Sequence, residues 1–258
     1  MIGDIAMELI QITRENLACE HICCAIANEK DRQVMAKKAW LKDRLDDGLV
    51  FLKGNVRGKC FIEYLPAEAA WAPVNAPGYF YIDCLWVSGQ FKGHGYSSLL
   101  LEACIRDAKE KGRKGLTILS SQKKQGFLAD PKYLRHKGFL LADTAAPHFE
   151  LMFLPFAEGE EKPCFRPHVK EKPCVPQEGI VLYYTSQCPF TAKYVPLLQE
   201  IAERHGIAFD AVHLLTKEQA QSAPCPFTTF SLFYQGKFIT HEILSEKKFE
   251  KLLDSVEE

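Results

Sequence analysis

A segment at residues 158–178 divides this chain of 258 residues into two parts. It reads EGEEKPCFRPHVKEKPCVPQE, with four prolines, many charged residues and no apolar period. That composition is typical of a linker stiffened by proline, because it offers no regular apolar face to bury. We therefore predict two folding units, residues 1–156 and residues 179–258, joined by a linker over residues 157–178.

The composition argues against several classes of protein. With 47% hydrophobic and 25% charged residues, the chain reads as globular rather than disordered. The formal net charge of −1 gives no broad basic field for nucleic acid. No apolar run approaches the ~20 residues of a membrane span, and the N-terminus does not resemble a secretory signal. We expect a cytoplasmic protein whose partners include neither nucleic acid nor a membrane.

Ten cysteines are spread along the chain. No C-x-x-C pair occurs, and Cys23-Cys24 is the only close pair, so the spacing does not favour a zinc site and we expect no metal. Without a secretory signal, we expect reduced thiols, most of them buried as small apolar side chains.

Strand and helix patterns alternate in the first unit. The segment YFYIDCLWV is rich in aromatic and β-branched residues, which favours a strand. We predict strands at 8–13, 49–53, 59–65, 79–87, 116–120 and 149–153, and helices at 31–47, 96–111 and 131–137.

The second unit has a simpler pattern. We predict strands at 180–184 and 209–213, a hairpin around Gln235-Gly236, and helices at 191–205, at 217–221 and from 245. The element order is therefore β-α-β-α-β-β-α.

A glycine-rich turn, SGQFKGHGYS, follows the strand that ends at Val87 and precedes a helix. The free N–H groups of a first helical turn and the helix dipole attract anions. Gly93 and Gly95 let the backbone approach a phosphate closely. The turn has neither the G-K-[ST] of a P-loop nor the third glycine of a dinucleotide-binding fingerprint.

This loop resembles motif A of the GNAT acetyltransferases, R/Q-x-x-G-x-G/A after a strand that ends in valine. Residues 90–95 match the letters of the motif, whereas residues 92–97 match its spacing from Val87, and we favour the second register. The resemblance extends over residues 8–155. It implies an α/β (α+β) GNAT fold with a mixed, mostly antiparallel sheet.

The resemblance also implies acetyl-CoA as a co-substrate. Its pyrophosphate is expected on the loop, and its pantetheine arm along the backbone of the preceding strand. The implied contacts are Leu85, Trp86, Val87, Lys92, Gly93, His94, Gly95, Tyr96 and Ser97. The implied reaction is direct acetyl transfer to a primary amine on a small molecule or a peptide.

Two carboxylates are candidates for the general base, Asp83 on the strand before the loop and Glu63 on the strand before that. Alternation along the strand places Asp83 on the same face as Leu85 and Val87, with Cys84 facing the other way as a core cysteine.

The candidate general acid is less well defined. Many family members have a tyrosine four residues before the Gly-Phe pair, here Gly138-Phe139. Leu134 stands at that position, so we name its neighbour Tyr133, with Ser120 and Ser121 as alternative donors.

The connection at residues 66–78 is long and rich in alanine and proline. Long loops in compact domains often bind ligands, so we expect acceptor contacts there.

The second unit resembles the thioredoxin and glutaredoxin fold at Cys188-Pro-Phe-Thr191. A thiol at a helix start has its thiolate favoured, but Thr191 replaces the second cysteine of C-P-x-C. The position opposite, a cis-proline in that family, is either Thr228 or Pro226. In the second case Cys225 lies close enough to pair with Cys188.

The two units together resemble bacterial acetyltransferases that carry a YoaP-like C-terminal domain. Two other functions stay open: a thiol oxidoreductase that uses Cys188, and a non-catalytic sensor that binds acyl-CoA. Whether the chain is a monomer or a homodimer also stays open.

Overall fold

The computed structural model describes residues 7–22, 24, 28 and 30–257. Its first unit is built on a seven-stranded sheet in the order β1-β2-β3-β5-β6-β8-β7. Only β5 and β6 run parallel, and every other neighbouring pair is antiparallel, so the prediction of a mixed, mostly antiparallel sheet is confirmed. The strands are β1 (Leu9–Gln11), β2 (Val50–Gly54), β3 (Cys60–Pro66), β4 (Val74–Asn75), β5 (Tyr79–Val87), β6 (Gly115–Ser121), β7 (Leu140–Ala145) and β8 (Phe149–Pro155).

Helices cover both faces of this sheet. On one face, α2 (Tyr96–Glu110) packs its apolar side on β3, β5 and β6, and α3 (Pro131–His136) lies nearby. The other face carries α1 (Arg32–Arg44). The Asp31 carboxylate caps α1 by accepting from the Gln33 N–H, and a short turn ends at Gly48 with a left-handed φ of 83°. These are the start and stop signals that the sequence indicated.

The sheet opens between β5 and β6. These strands pair only from Tyr79–Ile82 to Gly115–Ile118. Beyond that point β5 stays paired with β3 and β6 stays paired with β8. The two strands therefore diverge at the end of β5 that leads into the glycine-rich loop.

The second unit has the predicted element order. A four-stranded sheet runs β11-β10-β12-β13, with β10 and β11 parallel and the other pairs antiparallel. Its elements are β10 (Ile180–Tyr184), α4 (Pro189–Arg204), β11 (Phe209–His213), α5 (Lys217–Gln221), β12 (Phe230–Tyr234), β13 (Lys237–Thr240) and α6 (Glu246–Glu257).

The segment predicted as a linker contacts both units. Its short strand β9 (Cys164–Phe165) pairs with β4 in the first unit, and Cys174 forms a bridge with Lys237 in the second. Val169 is fully buried. The segment is therefore held along its length, while the boundaries at 156 and 179 stay a prediction.

A continuous apolar core joins the two units. Trp71 and Phe149 belong to the same buried cluster as Phe233 and Phe238, and α1 packs against α4. Hydrogen bonds also cross the interface, including one of 3.0 Å from the Gln221 amide to the Ala70 carbonyl. In the part of the chain that the structure describes, no helix is both long and apolar enough to cross a membrane.

One strand of the main sheet was not predicted. The sequence analysis placed a single strand after α3, but β7 precedes it as an edge strand. Leu140 and Leu141 at its start are both exposed, and its register with β8 shifts before Asp143. Because this segment lacks a regular alternation of apolar and polar residues, its strand character is not visible in the sequence.

Candidate active site

A β-bulge at Asp83 determines which side chains of β5 face the second unit. Across the β3–β5 ladder Glu63 lies opposite Cys84, but the next pair is Tyr64 with Ile82. Asp83 is thus an extra residue in β5, and a bulge of this kind shifts the alternation by one.

Because of the bulge, the β5 residues after Asp83 face the opposite sides of the sheet from those that the sequence predicted. Cys84 and Trp86 pack in the same cluster as Tyr81, whereas Leu85 and Val87 pack with α2. Asp83 therefore does not share a face with Leu85 and Val87, and Cys84 lines a cavity instead of being a core cysteine.

That cavity lies between the two units and has a volume of about 350 Å³. The bulged end of β5 forms one wall, and the start of α4 with the loop before β12 forms the opposite wall. The wall from the second unit consists of Gln187, Cys188, Pro189, Phe190, Pro226, Phe227, Thr228 and Thr229. Of these, Cys188 was proposed as a site residue, and Pro226 and Thr228 were named as alternatives for the position opposite it. The others were not proposed, because only the packing of the two units brings them to β5.

Glu63 lines this cavity as half of a buried ion pair. Its carboxylate accepts from the Lys37 ammonium at 2.5 Å and from the Trp40 indole N–H at 3.3 Å. Burial lowers the pKa of Lys37, but the charge and hydrogen bond of Glu63, together with the nearby Cys24 and Cys84, raise it by more, so the net shift is upward.

The sequence analysis did not identify Lys37 as a site residue, although its position in the sequence indicates that it is buried. Lys37 stands between Val34 and Leu41 at helical spacing, so it occupies the apolar face of α1. A lysine at such a position needs a buried partner.

Asp83 is the other carboxylate at the cavity. Its carboxylate makes no hydrogen bond or ion pair with any described residue, and only its backbone carbonyl accepts, from Gln187 Nε2 at 3.4 Å. Burial raises the pKa of Asp83 well above its usual value, and the nearby Glu63 raises it further, while Lys37 acts in the opposite direction. Burial and the neighbouring Glu63 carboxylate thus increase the proton affinity of Asp83, which is the direction of change that a general base needs.

Cys188 sits where the sequence placed it, at the N-cap of α4, but its titration is opposite to the expectation. Burial raises the pKa of Cys188 to about 11, outweighing the Phe190 N–H that favours the thiolate. Burial also raises the pKa of Cys84, which faces the same cavity. Among the described residues, no His, Cys, Asp and Glu side chains converge to hold a metal ion.

The pairing of Cys188 with Cys225 is not present, since both are free thiols. Cys225 is fully buried, and burial raises its pKa to about 12. The cis peptide bond among the described residues precedes Pro147, so the bond before Pro226 is trans. Thr228 instead donates its hydroxyl proton to the Trp71 carbonyl in the first unit.

The glycine-rich loop is open and leads into α2. Gly93 and Gly95 have left-handed φ values of 83° and 77°, and nothing described lies within 4 Å of where their Cβ atoms would be. No described residue accepts a hydrogen bond from the backbone N–H groups of residues 93–97. Lys92 and His94 are exposed, and the His94 ring stacks on Tyr96 at 5.7 Å. The loop therefore presents a row of donors to an anion.

Tyr133 lies beside this loop and not on the cavity wall. Burial raises the pKa of Tyr133, while the hydroxyls of Ser97 and Ser98 in the first turn of α2 lower it in part. The alternative donors are occupied, because Ser120 and Ser121 give their hydroxyl protons to backbone carbonyls at 2.8 Å and 2.7 Å.

Two loops of the first unit complete the cavity. Trp71 and Ala72 come from the connection at residues 66–78, where acceptor contacts were expected. Phe127 comes from the connection after β6, has a left-handed φ of 62° and is 45% exposed. The second unit holds this connection, since Gly126 donates to Glu242 at 3.1 Å and its carbonyl accepts from His241 at 3.0 Å.

Comparison with known proteins finds a matching family for each of the two units. A family model described as "Acetyltransferase (GNAT) family" matches residues 11–129, and one described as "YoaP-like" matches residues 209–251. The "Uncharacterized N-acetyltransferase YoaP" of Bacillus subtilis strain 168 is 46% identical over 248 residues, which are 96% of this chain and 98% of the relative.

Solved structures with some similarity are also acetyltransferases. The PaiA N-acetyltransferase of Thermoplasma acidophilum, in complex with coenzyme A, is 16% identical, with 59% of this chain and 100% of that chain covered and a TM-score of 0.41. A GNAT family acetyltransferase of Brucella melitensis, in complex with acetyl-CoA, is 14% identical, with 62% and 96% covered and a TM-score of 0.38.

Proposed function

The chain belongs to the GNAT acetyltransferase family and carries a YoaP-like domain, and from this premise we propose that it transfers the acetyl group of acetyl-CoA directly to a primary amine in the cavity beside Asp83. The observation that carries the proposal is the position of Asp83. Its unpartnered carboxylate faces the cavity where β5 and β6 diverge, and its pKa is raised.

The loop before α2 suits the pyrophosphate of acetyl-CoA. The unpaired N–H groups of residues 93–97 and the dipole of α2 favour an anion, and Lys92 adds a positive charge. Gly95 is the residue immediately before α2, which supports the motif register of residues 92–97. The pantetheine arm then follows the unpaired side of β5 at Leu85, Trp86 and Val87, towards the cavity.

The chemistry at the cavity requires proton transfers at two atoms. An ammonium group gives a proton to the Asp83 carboxylate, and the neutral amine nitrogen attacks the thioester carbon. The C–N bond forms and the C–S bond breaks. The nitrogen, which is positively charged after the attack, gives up its second proton, and the thiolate of CoA takes up one proton. We propose Tyr133 as the acid that protonates the thiolate, because it lies beside the glycine-rich loop near Ser97. Glu63 is not the base, because its carboxylate is bound to Lys37, but its proximity raises the pKa of Asp83.

The second unit is proposed to be a thioredoxin-like accessory domain that forms one wall of the acceptor site. Its element order supports that relation, and its contacts with Trp71 and Asp83 support the role. A thiol oxidoreductase is less well supported, because a thiol with a pKa of about 11 is almost entirely protonated at neutral pH.

The experiment that tests this proposal is thermal unfolding with and without acetyl-CoA, followed by an amine panel. A ligand at 100 times its Kd stabilises the native state by about 2.7 kcal/mol. We expect that stabilisation in the wild type and its loss in Gly95→Trp. The matched control is Gly112→Trp, because Gly112 lies just past the other end of α2 with a left-handed φ of 66° and open space around it. Equal stabilisation of both variants rules out the loop as the donor site, and an absence of turnover on every amine rules out the reaction.

A further inference from the structure

We propose that the acceptor is a small primary monoamine with an apolar, ring-sized body, and that the second unit selects it. This inference rests on the proposed acetyl transfer, since it names the class of amine that enters the cavity.

The polar groups that line the cavity are mostly occupied already. Lys37 and Glu63 neutralise each other. The Gln187 side chain is used at both ends, because its Nε2 donates to the Asp83 carbonyl at 3.4 Å and its Oε1 accepts from Thr229 at 3.0 Å. The Thr228 hydroxyl is bound to the Trp71 carbonyl. Among the lining groups the Trp71 indole N–H is buried without a partner, so the wall offers few free polar groups to an acceptor with several hydroxyl groups.

One carboxylate is left for a cationic group. Asp83 is the charged side chain of the cavity lining without a partner among the described residues. It matches one ammonium group. A second ammonium would be buried with no counter-charge, and such burial is strongly unfavourable. The cavity is thus suited to a monoamine and unsuited to a polyamine or an aminoglycoside.

Aromatic rings supply the remaining surface. Trp71, Tyr81 and Trp86 line the cavity from the first unit, and Phe190 and Phe227 from the second. Ring surfaces favour other rings in stacked or edge-to-face contact. The volume of about 350 Å³ is near the lower end for ligand sites, and the acetyl end of the donor takes part of it. The space left fits a single small molecule better than a segment of folded protein.

The second unit supplies the selective part of this wall. The Phe190 ring lies 6.5 Å from the Trp86 ring in an edge-to-face arrangement, so the α4 start closes over the bulged strand. Lys59 lies over the same Trp86 ring at 4.2 Å, which shows where the apolar lining meets a charged rim. Replacing Phe190 or Phe227 changes the pocket without touching Asp83 or the glycine loop.

The test compares acceptors that differ in one property. Acetylation of hexylamine, hexamethylenediamine and phenethylamine is measured by chromatography of the amide product, at saturating acetyl-CoA. We expect kcat/KM for hexylamine to exceed that for its diamine counterpart by about tenfold or more, because only the second charge differs. Phenethylamine is expected to match or exceed hexylamine. A diamine, an aminoglycoside or a peptide that is acetylated as well as the monoamines overturns the inference and leaves the proposed reaction intact.

Variants test the role of the second unit. We expect Phe190→Leu and Phe227→Leu to raise KM for phenethylamine about five- to tenfold with kcat nearly unchanged. Phe209→Leu is the matched control, since Phe209 is a half-buried ring of the same unit that packs on Phe249 away from the cavity. Equal KM values in Phe190→Leu and Phe209→Leu overturn the selection by the second unit. A protein that binds acetyl-CoA but acetylates no amine removes the proposed reaction and this inference together.

Discussion

Lys37 and Glu63 meet at 2.5 Å beneath the cavity, and each side chain is only 1% exposed. The pair joins α1 to β3, directly across the ladder from Cys84. Both charges are removed from water, so each depends on the other for compensation.

Lys37→Met should destabilise the protein strongly. Removing the ammonium leaves the Glu63 carboxylate buried without a counter-charge, and breaking such a pair costs about 3–5 kcal/mol. Urea denaturation measures the change. Lys42→Met is the matched control, because Lys42 lies on the exposed side of the same helix and should change stability by less than about 0.5 kcal/mol. Similar losses of unfolding free energy in the two variants would show that the buried pair stabilises the protein no more than an exposed lysine does.

Asp83→Asn should reduce turnover while keeping the donor site. Loss of a general base lowers kcat by about 10²–10⁴-fold. Stabilisation by acetyl-CoA should persist, because Asp83 is not part of the glycine loop. Asp210→Asn, an exposed change on β11, is the control. Turnover within twofold of wild type in Asp83→Asn would remove this residue as the base.

The same variant should show a stability gain at high pH. The pKa of Asp83 is raised in the folded state, so the folded protein binds the proton more tightly than the unfolded chain. That contribution to stability is present at low pH and is lost as the pH rises through the folded pKa. We therefore expect the Tm of Asp83→Asn to exceed that of wild type at pH 8 and to approach it at pH 4. A variant less stable than wild type at both pH values contradicts this reading.

Cys188→Ser should retain acetyl transfer. Cys188 is the N-cap of α4 and makes no side-chain cap hydrogen bond, whereas serine is a preferred N-cap residue. We expect kcat within about threefold of wild type and stability equal or up to ~1 kcal/mol higher. In alkylation followed by mass spectrometry, Cys19 and Cys174 should react before the other described cysteines, since they are exposed, whereas the raised pKa of Cys188 disfavours its thiolate. Loss of all turnover in Cys188→Ser would restore a chemical role for the thiol.

Acid should loosen the contact between the units at His241. Its ring donates to the Gly126 carbonyl and accepts from His148, with Glu242 close by. Burial lowers the pKa of His241 to about 4, so stability falls as the pH drops from about 6.5, where the unfolded histidine protonates, to about 4. The slope is about 1.4 kcal/mol per pH unit for one proton.

The check is a series of urea denaturations between pH 7 and pH 4. His241→Gln keeps a donor for the Gly126 carbonyl and cannot protonate, so its stability should vary less with pH than that of wild type. His136→Gln removes an exposed histidine and should behave like wild type. Identical pH curves for wild type and His241→Gln would show that this histidine does not titrate on unfolding.

Local signals in the sequence predicted most of the fold. Tyr79–Val87 was predicted to the residue, because its aromatic and β-branched content leaves no helical alternative. The turn at Gly93 and Gly95 was predicted from its two glycines between a strand and a helix, and both residues have left-handed φ values that glycine adopts readily. Asp31 and Gly48 marked the ends of the first helix and its terminal turn.

The candidate site was harder to predict, for reasons that are non-local. The bulge at Asp83 depends on the register of a neighbouring strand, and it reversed the expected facing of Cys84. The wall at Gln187 and Phe227 exists only because two units pack together. The pKa of Cys188 was expected to fall at a helix start, but burial between the units decides it.

The pairing of β4 with β9 ties the chain between the units back onto the loop that carries Trp71. That same loop meets the second unit through Thr228 and Gln221. In an engineered protein, the second unit therefore cannot be exchanged by itself. A chimaera should graft residues 66–78 and 157–178 together with it, because both segments make the contacts that hold the second unit in place.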